Sequence, residues 1–517
     1  MSTYFFVALI IIHMNNTLRE KTTLLALLLF FLGGAPPAKA EAYFSYNSSI
    51  KQAYQKAVAL RLDEAAAILT KLKVQDPQNL AVYHIENYLD FFRLYINEDV
   101  EEYNQLKKHL DLRLNKIKAG DPKSPYYLYA QGDIFLQWSL VKLKFGDFLG
   151  AFSNAGKAFR LLKKNQEKFP QFMPNYKDLG LLHALVGTIP DNYQWGVKLL
   201  GGMQGSIAQG KAELEKVMRY SRQNEFMFAD ETVVYYAFLV LHLENDAEEA
   251  WKTLQHQNLD VAKNPLHCFL KSSVALRSGH TTEAIEMLGQ YHKTAGALDF
   301  PALEFQLGLA KLRRLDSDAA PHFLNFLSRF RGRNNIKEAY QKLAWSELIK
   351  GNIAGYKRYL QLCTQRGVAD FGSDKNAQEE AQSNTVPDPT LVKARLLFDG
   401  GYYQKAHELL TEKENYRWPT QATQLEYTYR MGRVLHGLER WDEALVLYRQ
   451  TITNGRESTY YYACNAALQA GLICELLKDY PQARRFFQLC SEMRPSDYRT
   501  SLHQAAKAGL SRVKNEK

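Results

Sequence analysis

One stretch of the chain has the spacing of a phosphate-binding loop. Residues 205–211 read GSIAQGK and fit the pattern GxxxxGK. In nucleotide-binding proteins this loop follows a strand, and a Ser or Thr after the lysine holds magnesium. Here Ala212 follows Lys211, and no strand pattern precedes Gly205. The residues instead predict a Gly-rich turn that opens a helix near Ile207, whose free N–H groups leave anion binding open.

The other reactive side chains form no catalytic or metal-binding pattern. The 13 histidines are scattered, with no HExxH and no Cys/His pairing at zinc-ligand spacing. His267 and Cys268 are adjacent, so they point in different directions on a helix. No GxSxG elbow occurs, and the carboxylate pairs at 248–249 and 379–380 lie in charged segments typical of a solvated surface. We therefore expect no enzyme activity, no metal and no cofactor.

The cysteine count excludes a disulfide scaffold. Five cysteines in 517 residues are few, whereas small secreted scaffolds are dense in disulfides. Cys464 and Cys474 lie ten positions apart on one predicted helix, about 15 Å by helical rise, and cannot bond to each other. Cys474 and Cys490 fall on neighbouring predicted helices, so a bond between them stays open. The alternative is that all five are small buried apolar residues.

Composition predicts that helices position these residues. The chain is 46% hydrophobic with only 16 prolines, and Ala, Leu, Lys, Glu and Gln fill long uninterrupted stretches. The formal net charge is +10, but the charges are interspersed rather than gathered in a stripe. Nucleic-acid binding is therefore not expected.

The N-terminus has the pattern of a secretory signal. Basic residues precede an apolar run at 24–32, and a small-residue site ends at Ala40, which predicts a signal peptide over 1–40 cleaved after Ala40. An earlier apolar run at 4–12 fits this pattern poorly, and a start at Met14 would remove it. We expect an exported protein in the periplasm or associated with the envelope. No other segment is long and apolar enough to span a bilayer.

Internal repeats predict the fold. Three C-terminal segments each place a small residue, a short polar turn, an alanine twelve positions later, and a large apolar residue four further on. Small residues are needed where two antiparallel helices cross closely, and the bulky residue fills the space beside them. A less faithful copy of this repeat surrounds Ala151. The anchors are Ala394, Ala406 and Leu410; Gly432, Ala444 and Tyr448; Gly471, Ala483 and Phe487; and upstream Ala53, Ala65 and Leu69; Ser272, Ala284 and Leu288; Gly308, Ala320 and Leu324.

The repeats predict an all-α protein in which helical hairpins stack into a right-handed superhelix, an α-solenoid. Residues 41–366 are expected to form a degenerate N-terminal region, and 389–517 a C-terminal array. The polar segment 367–388 between them is predicted to be a linker or loop. It could instead be a decorated loop within one continuous solenoid.

These anchors resemble the tetratricopeptide repeat (TPR) family, whose consensus has small residues at its eighth and twentieth positions. The family's aromatic near position twenty-four and its later proline match Phe487 and Pro495, and Pro77 matches upstream. Residues 179–217 resemble the central segment of a eukaryotic family of TPR-like outer-mitochondrial-membrane and cytosolic proteins. They also resemble exported TPR proteins of Bacteroidota-type bacteria. The resemblance implies a helical scaffold without enzyme activity.

In a TPR stack the first helix of every pair lines the concave surface. Residues three before, one after and four after the small anchor face that surface in the family. These offsets give a groove of mixed aromatic, basic and apolar groups, which suits a protein or peptide partner with acidic character because Arg holds carboxylates through two hydrogen bonds. The groove residues are Arg395, Phe398, Tyr429, Arg433, His436, Leu472 and Glu475, with Leu391 and Leu468.

We thus expect a non-enzymatic interaction scaffold or adaptor. The groove lacks the Lys/Asn carboxylate clamp of chaperone-binding TPR domains, and its residues could also be ordinary surface and packing residues. The alternative function is a carbohydrate- or lipid-binding protein that uses some of its 31 tyrosines inside a curled solenoid.

Overall fold

A computed structural model describes residues 41–187, 202–370, 372–383 and 385–514. These residues form helices joined by short turns, and they contain no strand longer than the isolated bridge between Tyr43 and Asn79. The all-α class predicted from the repeats is confirmed. None of the helices described is long and apolar enough to cross a membrane. The predicted signal peptide lies outside the described residues.

The helices follow one another as antiparallel hairpins. The first part comprises α1 (Ser48–Val58), α2 (Leu62–Gln75), α3 (Ala81–Asn97), α4 (Val100–Leu106), α5 (His109–Ile117), α6 (Pro125–Lys144), α7 (Phe148–Lys168), α8 (Met173–Gly187), α9 (Ile207–Ser221), α10 (Ala229–Phe238) and α11 (Ala247–Gln255). The middle comprises α12 (Pro265–Arg277), α13 (Thr281–Gln290), α14 (Ala302–Arg313), α15 (Ala319–Arg329), α16 (Ile336–Ile349), α17 (Ile353–Gln365) and α18 (Gly372–Gln382). The last part comprises α19 (Pro389–Asp399), α20 (Tyr403–Thr411), α21 (Gln421–Gly437), α22 (Trp441–Gly455), α23 (Tyr462–Leu476), α24 (Tyr480–Glu492) and α25 (Arg499–Arg512).

A left-handed residue closes the turn of the repeated hairpins. It lies seven positions after the small residue of the first helix, and in most hairpins the second helix begins two residues later. A left-handed residue ends a helix sharply and reverses the chain, which glycine does at the lowest cost. This position has no residue signature in the sequence, because half of its occupants are not glycine. The residues are Leu60, Gly146, Gly279, Leu315, Gly351, Gly401, Glu439 and Lys478.

Small residues lie where the two helices of a hairpin cross. The alanines at the second crossing position, Ala65, Ala406, Ala444 and Ala483, are fully buried. A Cβ added to Gly471 would lie 2.6 Å from the ring of Phe487. The helices therefore approach as closely as their side chains allow.

The hairpin of α14 and α15 departs from the alignment by one residue. Ala320 is only partly buried and Leu324 is 46% exposed, whereas Ala319 and Phe323 are buried. The turn is also irregular here, since α15 begins four residues after the left-handed Leu315 instead of two. The assignment of Ala320 as the anchor is thus corrected to Ala319.

The segment 367–388, predicted to be a polar linker or loop, contains α18. Its polar residues bond to neighbouring helices: Asp374 accepts from the backbone N–H of Glu338 at 2.9 Å, and Glu380 accepts from the indole N–H of Trp345 at 2.8 Å. Composition could not reveal this helix, because its polar side chains satisfy groups inside the protein. The helices on both sides also meet directly, since α14 and α16 contact α19.

Parts of the chain far apart in sequence also touch as the stack curls. The backbone N–H of Leu298 donates to the carbonyl of Leu60 at 2.8 Å. The side-chain amide of Asn334 donates to the carboxylate of Glu98 at 2.6 Å, and this carboxylate is almost completely buried. The first helices are therefore held against the α13–α16 region.

Candidate functional site

The first helices of the C-terminal hairpins surround a cavity of about 260 Å³. We call it the arginine cavity. Helices α19, α21 and α23 form three walls, and the start of α25 closes the fourth side. The polar and aromatic lining consists of Arg395, Phe398, Asp399, Tyr429, Arg430, Arg433, Tyr461, Asn465, Tyr498 and Ser501.

Positive charge predominates in the arginine cavity. Three guanidiniums line it, from Arg395, Arg430 and Arg433, whereas Asp399 supplies the only carboxylate among the lining residues. The Nε of Arg395 lies 3.8 Å from Asp399 Oδ2. The Nε of Arg430 donates to Glu426, one turn earlier on α21, at 2.7 Å. Arg433 therefore has no carboxylate partner of its own among the lining residues.

Arg433 is held by neutral groups. Its Nη1 donates to the hydroxyl of Tyr429 at 3.3 Å, and its guanidinium lies 4.7 Å from the ring centre of Phe398. Its Nε is buried and has no hydrogen-bond partner. Although burial lowers the pKa of Arg433, the surrounding Tyr429 and Tyr448 outweigh it and the pKa is raised overall. The side chain is therefore charged and has a donor left unsatisfied, which is costly unless an acceptor arrives.

Tyrosines fix the shape of the arginine cavity. The hydroxyl of Tyr429 accepts from the side-chain amide of Asn465 at 2.7 Å. The rings of Tyr429 and Tyr461 meet edge to face at 5.9 Å, and those of Tyr461 and Tyr498 at 5.0 Å. Ring contacts therefore hold the walls, while Arg395 and Arg430 keep their contacts with Asp399 and Glu426.

The structure brings together four of the seven residues predicted for the groove. Arg395, Phe398, Tyr429 and Arg433 line the arginine cavity. His436 lies one turn beyond it, where its Nδ1 is 3.1 Å from the hydroxyl of Tyr448.

The other two predicted groove residues, on α23, are covered by α25. Glu475 binds Arg512 through two contacts of 2.6 and 2.7 Å, and Leu472 packs against the hydrophobic core of the C-terminal helices.

The cavity crosses the successive first helices obliquely, which explains this division. It uses the end of α19 at Phe398, the middle of α21 at Tyr429, and the start of α23 at Tyr461 and Asn465. Fixed offsets from each small anchor assume that the cavity meets every first helix at the same position along its length. They fail here because that position changes from one hairpin to the next. The offsets also missed Arg430, one position after Tyr429, and the tyrosines before α23 and α25.

A second concentration of charge lies buried in the N-terminal region. We call it the lysine cluster, comprising Lys177, Asp133, Asp178 and Glu231 from α6, α8 and α10. The Nζ of Lys177 lies 2.5 Å from Asp178, 2.8 Å from Glu231 and 3.5 Å from Asp133. The side chains of Lys177 and both aspartates are fully buried. No motif search found the cluster, because its members are scattered along the sequence.

Hydroxyl and imidazole groups complete the lysine cluster. Tyr54, Tyr88 and Tyr235 each donate to Glu231 at 2.8–3.2 Å. The Nε2 of His84 lies 2.7 Å from Asp133, which also accepts from Tyr88.

The four charged groups adjust their protonation to one another. Burial alone would lower the pKa of Lys177, but the carboxylates raise it overall. Burial likewise opposes ionisation of Asp133, yet Lys177 and His84 lower its pKa. Burial raises the pKa of Asp178 well above its usual value, although the charge of Lys177 opposes the rise.

The three carboxylates of the lysine cluster also come within 4.8 Å of one another, the arrangement that a metal ion requires. The ammonium of Lys177 already lies among them. A divalent ion could enter only if this buried side chain left, so the cluster is a structural ion network.

The loop with phosphate-binding spacing is a helix start. Helix α9 begins at Ile207, as the Gly-rich sequence predicted. Ser206 caps the helix, because its side chain accepts a hydrogen bond from the backbone N–H of Gln209 at 3.1 Å. Lys211 forms an ion pair with Glu244 at 2.6 Å. The lysine is thus directed to the end of a short π-helix, Leu239–Glu244, between α10 and α11, and not to the loop.

No protein-family model matches the chain, and no curated protein matches it. The chain is similar to the solved TPR domain of P58(IPK), with 13% identity, a TM-score of 0.21, and coverage of 80% of this chain and 98% of that one. It is similar to yeast Tom70 at 13% identity and a TM-score of 0.25, covering 90% and 89%. It is similar to a monomeric IFIT1 mutant with Gppp-AAAA at 13% identity and a TM-score of 0.28, covering 83% and 86%. TM-scores this low carry no information about activity or partners, so the TPR-like assignment depends on the hairpins themselves.

Proposed function

We propose that the chain is a non-enzymatic scaffold or adaptor that binds an acidic segment of a protein or peptide in the arginine cavity. The observation that carries the proposal is an excess of guanidinium over carboxylate in a space large enough for a ligand. Arg395, Arg430 and Arg433 line about 260 Å³, with Asp399 as the one lining carboxylate. Ion pairs that only stabilise a fold would leave neither an excess of arginine over carboxylate nor an open cavity beside them.

The chemistry of the lining favours a carboxylate ligand. A guanidinium offers paired donors that match the two oxygens of a carboxylate. The buried Nε of Arg433 lacks a partner, and Ser501 and Asn465 add neutral polar groups. The volume admits a side chain or a chain end, not a folded domain, so the partner would present an extended segment that follows the oblique path.

A defined peptide tests the proposal. Fluorescein-labelled hexaglutamate and hexaglutamine are compared by fluorescence anisotropy with the mature chain at low and high salt. We expect binding of the glutamate peptide that weakens as salt screens the charges. The double variant Arg395→Glu with Arg433→Glu should weaken it by about tenfold or more, since repulsion replaces two ion pairs.

A matched double variant controls for net charge. Arg449 and Arg485 are exposed on the outer helices α22 and α24, and their replacement by Glu changes the total charge equally. We expect this control to bind the glutamate peptide like the unchanged protein, and both doubles to melt like it by circular dichroism. Equal loss in both doubles would show nonspecific attraction and overturn the proposal.

The partner itself can be sought in the native envelope fraction. Affinity purification with the unchanged chain and with the Arg395→Glu, Arg433→Glu variant should yield a protein that only the unchanged chain retains. We expect that protein to contain an accessible acidic segment. A partner retained by both would place its binding surface elsewhere on the solenoid.

We propose in addition that the protein acts outside the cytoplasm, in the periplasm or at the envelope. The apolar run at 24–32 and the small residues that end at Ala40 support export. N-terminal sequencing of the protein from its native source should find Glu41 first. A chain that keeps residues before Ala40 and fractionates with cytoplasmic proteins would contradict the proposal.

A further inference from the structure

The C-terminal helices contain two buried thiols in contact. The Sγ atoms of Cys464 on α23 and Cys490 on α24 lie 3.6 Å apart, and both residues are at most 1% exposed. Small neighbours such as Ala467 and Ala483, both fully buried, allow the two helices to approach this closely. A disulfide has an S–S distance of about 2.0 Å, so side-chain rotation has to bring the sulfurs closer by about 1.6 Å.

We propose that Cys464 and Cys490 form a disulfide when the chain folds in an oxidising compartment. The structure favours this pair over Cys474 with Cys490. Cys474 lies ten residues from Cys464 on the same helix, about 15 Å along its axis, so it cannot also reach Cys490. The inference is independent of what occupies the arginine cavity.

The chemistry balances with a small-molecule disulfide such as oxidised glutathione as the oxidant. The Cys464 thiolate attacks one sulfur of the oxidant and releases a glutathione thiolate, which leaves a mixed disulfide. The Cys490 thiolate then attacks the Cys464 sulfur and releases the second glutathione. Two protein thiols lose two electrons and two protons, and one oxidant becomes two thiols.

The contact between the two thiols makes them differ in acidity in the folded chain. The hydrogen bond from Cys490 lowers the pKa of Cys464, whereas the same contact raises the pKa of Cys490. Because both sulfurs are closed off in the folded chain, the bond forms while α23 and α24 are still assembling or when they open locally. Its location inside one hairpin links positions 26 residues apart.

Counting free thiols tests the proposal. The mature chain is refolded in a mixture of reduced and oxidised glutathione, denatured, labelled with N-ethylmaleimide and weighed intact. We expect three of the five cysteines to be labelled and the mass to be lower by two hydrogen atoms before labelling. All four remaining cysteines should be labelled in Cys464→Ala, but only two in the matched control Cys474→Ala. Five labels in the unchanged chain would overturn the proposal.

Peptide mapping and unfolding complete the test. Trypsin leaves Cys464 and Cys474 on one peptide, residues 457–478, so the map is made on Cys474→Ala. A cross-link to the peptide 486–499, which holds Cys490, then identifies Cys464. The oxidised protein should also unfold several degrees above the reduced protein, since the bond restricts the unfolded chain. Cys464→Ala should lose this difference and Cys474→Ala should keep it, whereas a cross-link to any other cysteine would overturn the proposal.

Discussion

The lysine cluster and the arginine cavity both place cations away from water, but they treat them differently. Lys177 lies among three carboxylates, with its Nζ within 3.5 Å of each. Arg433 forms no ion pair with a carboxylate among the residues that line its cavity of about 260 Å³. A buried charge whose partners are all internal stabilises a fold, whereas one whose partners are incomplete beside a cavity is available to a ligand.

The comparison predicts the largest effect for the lysine cluster. Lys177→Met should lower the free energy of unfolding by about 3–5 kcal/mol, because ionised carboxylates would stay buried without their cation. Urea denaturation followed by circular dichroism measures the loss.

Lys252→Met is the control for this variant, since its side chain is 61% exposed on α11. It should change stability by less than about 0.5 kcal/mol. If Lys177→Met and Lys252→Met unfold at the same urea concentration, the cluster does not hold the N-terminal region together.

The pH dependence of stability provides a second test of the comparison, through His436, which lies next to the arginine cavity. Burial, and after it the positive charge of Arg433, lowers the pKa of His436 to about 4. The unfolded chain binds this proton near pH 6.5 and the folded chain only near pH 4, so stability falls as the pH drops through that window. The loss from this one group should reach up to about 3 kcal/mol at pH 4.

Comparison of variants isolates this contribution. His436→Asn should have a flatter dependence of the unfolding free energy on pH between 7 and 4 than the unchanged chain, while His256→Asn, on an exposed residue, should not. Parallel pH curves for all three proteins would contradict the assigned environment of His436.

A packing change tests whether the walls of the cavity depend on the repeat. Ala444 is fully buried at a helix crossing, so Ala444→Leu should cost about 1–3 kcal/mol by overpacking. Val446→Leu, on the same helix at a position 61% exposed, serves as the control. An unchanged melting temperature for Ala444→Leu would contradict the repeat alignment.

The same alanines and glycines show how much of the fold the sequence could predict. Their spacing, with a small residue followed by an alanine twelve positions later, predicted the hairpins and the all-α class. This spacing is local, because it is determined by two adjacent helices and the short turn that joins them. It failed at Ala320, where the turn is irregular and the buried alanine lies one residue earlier, at Ala319. It also failed at α18, whose polar residues serve other helices.

The sites were less predictable than the fold. The offsets located Arg395 and Arg433 because the first helix of a hairpin keeps its orientation, but they missed Arg430 and Tyr461 because the cavity crosses the stack obliquely. The lysine cluster depends on residues up to 98 positions apart, from Asp133 to Glu231, and no local pattern joins them. Tertiary contacts of this kind become visible only when the helices are packed.

The smallest expected change in stability is that of Arg433→Met. It compares the two regions most directly, because Lys177→Met and Arg433→Met both replace a cation by methionine. Arg433→Met should change the unfolding free energy by less than about 1 kcal/mol, since the variant loses one contact to Tyr429 but also an unsatisfied buried donor and repulsion from the other arginines. Arg485→Met on the exposed face of α24 is its control. Hexaglutamate binding should fall by about tenfold in Arg433→Met alone. A loss of stability as large as that of Lys177→Met would make Arg433 a structural charge, and the distinction between the lysine cluster and the arginine cavity would no longer hold.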